Sequence, residues 1–229
     1  MRTILTLLFS AMVGVAQQQT AKPYAHFKPD NILIPADPRK GTGPAFNVTY
    51  LDAWIEELST HAVNYPVNFA SEEDKKRAYR DTELLSKLLD TLNESPEANA
   101  ESLRRAGFVN SMAHNLDVPG AAQKAVQYFN RLLKIKPDDP QGNYMFGAFL
   151  GSTGKAEAAI PYLQRADTLG VVNASYGLGI AYLMRGDKKK AVECLEKYRK
   201  LAPEDKSITS FLEEIKSGRV EIKHADGLQ

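Results

Sequence analysis

The second half of this chain repeats itself, and a repeat restricts the possible folds more than any composition does. The small residues Ala113, Gly147 and Gly179 stand 34 and then 32 residues apart. The same two steps separate Gly120, Gly154 and Gly186, then Ala125, Ala159 and Ala191, then Phe129, Leu163 and Leu195. Pro137 and Pro203 hold equivalent places, with Val171 standing between them.

Each column has a physical reason. A small residue midway in a first helix lets a second helix approach closely, with the alanine expected as its partner across that contact, because ridges pack into grooves only where the nearest point of the axes is uncrowded. The glycine belongs in the turn, where a left-handed backbone costs it nothing. The bulky residue four places after the alanine lies on the same helical face and fills the core. The proline ends the second helix.

These residues resemble the tetratricopeptide repeat, a helix–turn–helix of about 34 residues. The third copy fits best, with Leu178-Gly179, Tyr182, Ala191, Leu195 and Pro203 in place and Ser175 where the family has Trp. The first copy offers Met112-Ala113, Leu116, Ala125, Phe129 and Pro137, with Val109 for the Trp. The second offers Phe146-Gly147, Leu150, Ala159 and Leu163, with Asn143 for the Trp. It departs at its end, where Leu169-Gly170-Val171 replaces the proline turn and two residues are missing before the next helix. The resemblance implies an all-α fold, a right-handed superhelical α-solenoid of helix hairpins, with units at 106–139, 140–171 and 172–205 inside a helical array over 96–205.

Such units cannot bury their faces alone, so the ends of the stack need caps. Leu51, Trp54, Ile55, Leu58 and Ala62 share one helical face, with Thr49 as the expected N-cap. Ser71 caps a second helix whose first turn carries Glu72, Glu73 and Asp74, where the helix dipole favours acids. Helices over 50–63 and 71–93 make residues 49–95 an N-terminal cap or degenerate repeat, and Ser95-Pro96 is the expected start of the next helix. Ile208, Phe211, Leu212 and Ile215 give a capping helix over 206–217, followed by a loose tail over 218–229.

The N-terminal region is different in kind. Arg2 precedes about a dozen mostly apolar residues, and small Gly14 and Ala16 follow. Residues 1–16 read as a secretory signal peptide; the run is too short for a membrane-spanning helix, which needs about 20 residues. A buried N-terminal helix is the alternative. Residues 17–48 hold Pro23, Pro29, Pro35, Pro38 and Pro44 and form an extended arm whose Ile32-Leu33-Ile34 is apolar enough to dock. The arm is expected along the groove of the repeats or their helix ends. Cys194 is alone, so no intramolecular disulfide exists. Asn-x-Ser/Thr triplets at Asn47, Asn93 and Asn173 would accept glycans in a eukaryotic secretory route; the chain is read instead as bacterial and periplasmic.

Composition excludes several functions. Lys+Arg is 29 and Asp+Glu is 28, a balance that gives no basic surface for nucleic acid. Four scattered histidines and one cysteine give no metal-ligand spacing. His61 and His114 lie in helices without a second ligand at i+3 or i+4, and packing or surface roles suit them better than catalysis. Glu193 and Glu196 beside Cys194 raise a thiol pKa rather than lower it. The glycine-rich run Gly147–Lys155 lacks the Ser/Thr that follows the lysine of a phosphate loop. No catalytic residue, metal site or cofactor is expected.

The resemblance implies a concave face lined by the first helix of each hairpin. The residues carried there are Asn110, His114 and Asp117, then Gln141, Tyr144, Ala148 and Ser152, then Asn173, Tyr176, Ile180 and Met184. This aromatic and amide-rich set suits a protein or extended peptide. The competing reading is that Tyr144 and Tyr176 simply pack against neighbouring helices. Lys and Arg are missing from the positions that would clamp an acidic C-terminal carboxylate, so such ligands are not expected. The function expected is a protein–protein interaction or assembly module of the cell envelope. The alternatives are a structural subunit of an envelope complex using its convex face, and an enzyme with a site between arm and repeats.

Overall fold

The computed structural model describes residues 21–220, apart from 38, 40, 42, 44, 96 and 97. The expected address segment 1–16 and the end of the tail lie outside the described residues. Within them the chain forms nine α-helices: α1 Val48–Ala62, α2 Glu72–Leu92, α3 Ala100–Asn115, α4 Ala121–Ile135, α5 Pro140–Ser152, α6 Ala156–Thr168, α7 Val172–Met184, α8 Lys188–Leu201 and α9 Ser207–Lys216. A 3₁₀ turn at Pro29–Ile32 leads into a minimal antiparallel hairpin, β1 Leu33–Ile34 and β2 Ala45–Phe46, with Leu33 opposite Phe46 and Ile34 opposite Ala45.

The helices pair as hairpins, α3 with α4, α5 with α6 and α7 with α8, and each hairpin packs on the next. The array is an all-α solenoid, closed at its C-terminal end by α9, which lies on α8 and buries Ile208, Phe211, Leu212 and Ile215. One continuous apolar core runs from Leu51 to Ile215.

Side-chain caps fix the helix starts. Asn47, Ser71, Asn99, Asp139 and Asp187 each accept a backbone N–H three residues on, which satisfies one of the orphan donors of a helix N-terminus. Two expected starts shift as a result. The first helix begins after Asn47 rather than at Thr49, since the Asn47 amide oxygen takes the Tyr50 N–H at 3.1 Å. The third begins after Asn99, whose side chain takes the Ser102 N–H at 2.8 Å. Pro96, expected near that start, lies outside the described residues.

The close approach within each hairpin is tighter than the sequence columns implied, and its partner is different. A Cβ built on Gly147 would lie 2.7 Å from Leu163 Cγ, and one on Gly179 would lie 2.5 Å from Leu195 Cγ and 3.3 Å from the Ala191 carbonyl oxygen. The glycine therefore faces chiefly the large residue, with the alanine's backbone alongside.

The first hairpin is out of register with the other two. α5 and α7 end on Gly154 and Gly186 at φ +78° and +76°, each followed by an N–H that reaches back to the last turn: Lys155 to Leu150 and Asp187 to Tyr182, both 2.9 Å. In α3 that left-handed position is Asp117, at φ +62°, with Val118 N–H reaching back to the Ala113 carbonyl at 2.9 Å. Gly120, the expected equivalent, instead stands directly before α4. Counting from these left-handed residues places Asn110, not Ala113, at the level of Gly147 and Gly179. Phe129 finds its gap at Gly107, where an added Cβ would lie 2.7 Å from the ring.

The arm does not run along α5 and α7. Its residues from Tyr24 to Lys28 bond to α1 and α2, two helices that scarcely touch one another. The first helix pair is thus opened by an inserted segment of the arm, whereas the other three close directly.

Gly→Ala in a helix interior ordinarily stabilises by roughly 0.5–1 kcal/mol. Gly179→Ala is expected to reverse that sign and lower unfolding free energy by about 1–3 kcal/mol, because the methyl drives into Leu195. Urea unfolding followed by circular dichroism measures it; a variant as stable as wild type contradicts the packing.

Candidate protein-binding face

The first helices of the hairpins, α3, α5 and α7, carry the residues expected to line a groove, but these do not share one environment. Gln141 and Asn173 are exposed. His114, Tyr144, Ala148 and Met184 are half-buried. Asn110, Tyr176 and Ile180 are 1%, 3% and 1% exposed, which removes their side chains from any ligand in this conformation.

Each burial has a cause. Asn110 occupies the level where the other hairpins have glycine. Its amide donates to the Ala106 carbonyl at 2.8 Å and its oxygen accepts from Ser86 Oγ at 3.0 Å, so it serves as a polar tie between α3 and α2. Tyr176 packs edge-on against Tyr198 at 5.2 Å. It belongs to a run, Ala174–Leu183, in which every residue is buried, because α7 is covered by α5, α6 and α8. For Tyr176 the packing reading is the one the structure gives.

What remains accessible forms a smaller patch. Gln141, Tyr144 and Ala148 lie one turn apart along α5, and the Tyr144 hydroxyl is hydrogen-bonded to Asn173 on α7. Burial pushes the Tyr144 phenol up to about 12, with the Asn173 bond pulling it partly back. His114, at the end of α3, meets the Phe149 ring edge-on at 5.8 Å, which ties the first two units on this side. Asp117 and Ser152, at the ends of α3 and α5, are exposed.

His61 is buried, stacked on Phe69 at 4.9 Å, with Nδ1 2.9 Å from the Asn68 carbonyl oxygen. Among the described residues no group of three or more His, Cys, Asp or Glu side chains could hold a metal ion. Burial, then Asp167 and Glu193, push the Cys194 thiol up to about 11. A separate shallow groove between α2 and the end of α3 is lined by Glu72, Lys75, Lys76, Tyr79, Arg80 and Leu116. Its cations come from α2, outside the positions that the repeat resemblance assigned to a groove.

Two outcomes follow from these environments. Cys194 should react with a thiol reagent at pH 8 at least tenfold more slowly than free cysteine, because a raised pKa leaves little thiolate; equal rates contradict its burial. Tyr144 and Tyr198 are both raised to about 12, so the folded state favours the neutral phenol. Their contribution is intact below the unfolded value of about 10 and is lost as pH rises from there. Tm should fall between pH 10 and 12, and less steeply in Tyr144→Phe, as read by thermal melts across that range.

Known proteins match this architecture. The tetratricopeptide repeat family model matches residues 172–205, the third hairpin. A crystal structure of MamA protein superposes with a TM-score of 0.52 at 25% identity, covering 64% of this chain and 79% of that one. The MamA RS-1 ArsTM double mutant gives 0.49 at 23% identity, covering 64% and 76%. No curated protein matches the chain in sequence. No helix among the described residues is long and apolar enough to cross a membrane. Successive hairpins stacked through small-to-large contacts, with the family motif matched in the third, give this chain the solenoid fold of tetratricopeptide repeats, a fold that serves protein–protein interaction and assembly.

Proposed function

We propose that the chain is an exported assembly module of a bacterial cell envelope, and that it holds an extended segment of a partner protein on the face of α3, α5 and α7. The patch of Gln141, Tyr144, Ala148 and Asn173, flanked by His114 and Met184, is the contact. The observation that carries this is the exposed amide pair, Gln141 and Asn173, on either side of a half-buried tyrosine. Amides can pair with the backbone of an extended peptide, and a tyrosine anchors it at low entropic cost. Asn110, Tyr176 and Ile180 support this face from behind.

Hydrolytic or redox chemistry is not part of the reading, since solenoids of this family act typically as scaffolds and the two candidate histidines are engaged in packing, His61 on Phe69 and His114 on Phe149. Export rests on the apolar run 4–15 behind Arg2 and the small residues that follow it. An acidic C-terminal ligand does not suit the patch, which has no cation among its four central residues.

The test is photo-crosslinking in cells, with a photoreactive amino acid at Gln141 or Asn173 and, as control, at exposed Lys189 on α8. A partner band seen from the first two positions and not from the control supports the face. The same bands from Lys189, or none from Gln141 and Asn173, remove it and favour the convex surface. Tyr144→Ala should reduce the crosslinked yield at least fivefold while keeping the helical spectrum.

A further inference from the structure

The arm is held as a receptor holds a peptide. Its backbone is read by side chains of α1 and α2: Ala25 N–H donates to Glu57 Oε1 at 2.9 Å, Lys28 N–H donates to Tyr50 Oη at 2.7 Å, and the Tyr24 carbonyl accepts from Arg77 Nη2 at 2.5 Å. Two aromatic side chains enter the body. Tyr24 is 1% exposed, and its hydroxyl accepts from Trp54 Nε1–H at 3.0 Å and donates to Asp81 Oδ2 at 3.1 Å. The Tyr24 ring stands edge-on to His61 and Phe69, with the Arg77 guanidinium 5.5 Å from its centre. Phe27, three residues on, lies flat on Trp54 at 5.3 Å.

These contacts describe a formed site. One face offers an indole donor and the other a carboxylate acceptor, both matched to a single phenol. An arginine clamps the ligand backbone, and an aromatic shelf takes a second ring. Since the backbones of α1 and α2 scarcely approach one another, the space between them belongs to the arm. A phenylalanine at the first position would forfeit both hydroxyl bonds, the one from the Trp54 N–H and the one to Asp81, which gives the site its preference for tyrosine.

The link from arm to body supplies a second observation. Leu33, Ile34, Phe46 and Val48, which sit in and beside the hairpin that joins the arm to α1, are 57%, 47%, 40% and 46% exposed. A hairpin of two residues per strand has little stability of its own. Four exposed large apolar residues gathered at this one joint are what a crossing of the arm to another molecule would cover.

We propose that the cleft between α1 and α2 is a binding site for an extended Tyr-x-x-aromatic segment, and that its ligand in trans is the arm of a second copy of this chain, exchanged at the β1–β2 hairpin. Two clefts are then filled reciprocally, and the two hairpins meet over Leu33 and Phe46. This site is independent of the α3, α5 and α7 face and stands or falls without it.

The probe is a fluorescein-labelled peptide with the sequence of residues 21–32, titrated by anisotropy against the full chain. Tyr24→Ala/Phe27→Ala, whose own arm no longer competes, should bind it at least tenfold more tightly than wild type does. A peptide carrying Phe in place of the tyrosine should bind at least fivefold more weakly. Sedimentation should show wild type forming dimers as concentration rises. Leu33→Ser/Phe46→Ser should weaken that dimer at least tenfold, and Tyr24→Ala/Phe27→Ala should abolish it. Gln141→Arg/Asn173→Arg should leave peptide binding unchanged, which separates this site from the groove. A folded Tyr24→Ala/Phe27→Ala chain that ignores the peptide, binding indifferent to the Tyr-to-Phe change, or a wild type monomeric at every concentration overturns the proposal. If that variant loses its helical spectrum, wild type with a protease site between Gly41 and Gly43 is cut instead; labelled peptide must then displace the native arm, and failure to do so overturns the proposal equally.

Discussion

The distance between the two helices of a hairpin is set by a single contact, glycine against leucine. With Gly147 under Leu163 and Gly179 under Leu195, the side chain of one helix rests on the bare backbone of the other. Helix axes that come this near leave no space for water, and both hairpins bury their leucine completely. The stacking of hairpin on hairpin depends on that spacing, because the next unit docks on the surface the pair presents. The first unit solves the same problem with a larger ring: Phe129 reaches one turn further and rests on Gly107. The cap solves it differently, by admitting an arm of the chain itself between α1 and α2.

A second constraint operates between units and is polar. Asp90 on α2 accepts from Lys124 Nζ at 2.5 Å and from Tyr128 Oη at 2.6 Å, both on α4. Asp139 is fully buried; it caps α5 and meets Arg104 of α3 and Lys136 at 3.0 Å each. Burial alone would raise the Asp139 carboxyl, but the Gly142 N–H and the two cations more than offset it and hold the group below the ordinary range. Asp167 on α6 takes a bond from Ser175 of α7, at 2.5 Å, and two from Lys197 of α8. A carboxylate therefore bridges successive elements at each junction. Apolar packing would tolerate a sliding contact, whereas a carboxylate with matched donors has one position in which all its bonds are made.

The repeat columns made the hairpins, their order and the third unit legible, since tight packing leaves small residues where the helices meet. The register of the first unit was not legible, and the reason lies in one residue. Asp117 takes the left-handed position that glycine marks elsewhere, and nothing in its identity announces this; Gly120, three places on, imitated the expected turn. That offset moved Asn110 from the expected groove into the interior. The burial of Tyr176 and Ile180 did leave a trace. Residues 171–184 contain no charged side chain, and a helix apolar on every side is an interior helix. The seat of Tyr24 left none: a tyrosine in a proline-rich segment has no periodicity, and its partners Trp54 and Asp81 lie 30 and 57 residues away.

That last separation bears on the order in which the molecule is made. The arm leaves the ribosome ahead of every described helix, yet the hydroxyl of Tyr24 lacks its acceptor in the fold until synthesis has passed Asp81. The arm must wait, unseated, for both of the helices that receive it. Whatever keeps that stretch from sticking elsewhere during the interval, whether its prolines or its brevity, is as much a part of the fold as the contacts that finally receive it.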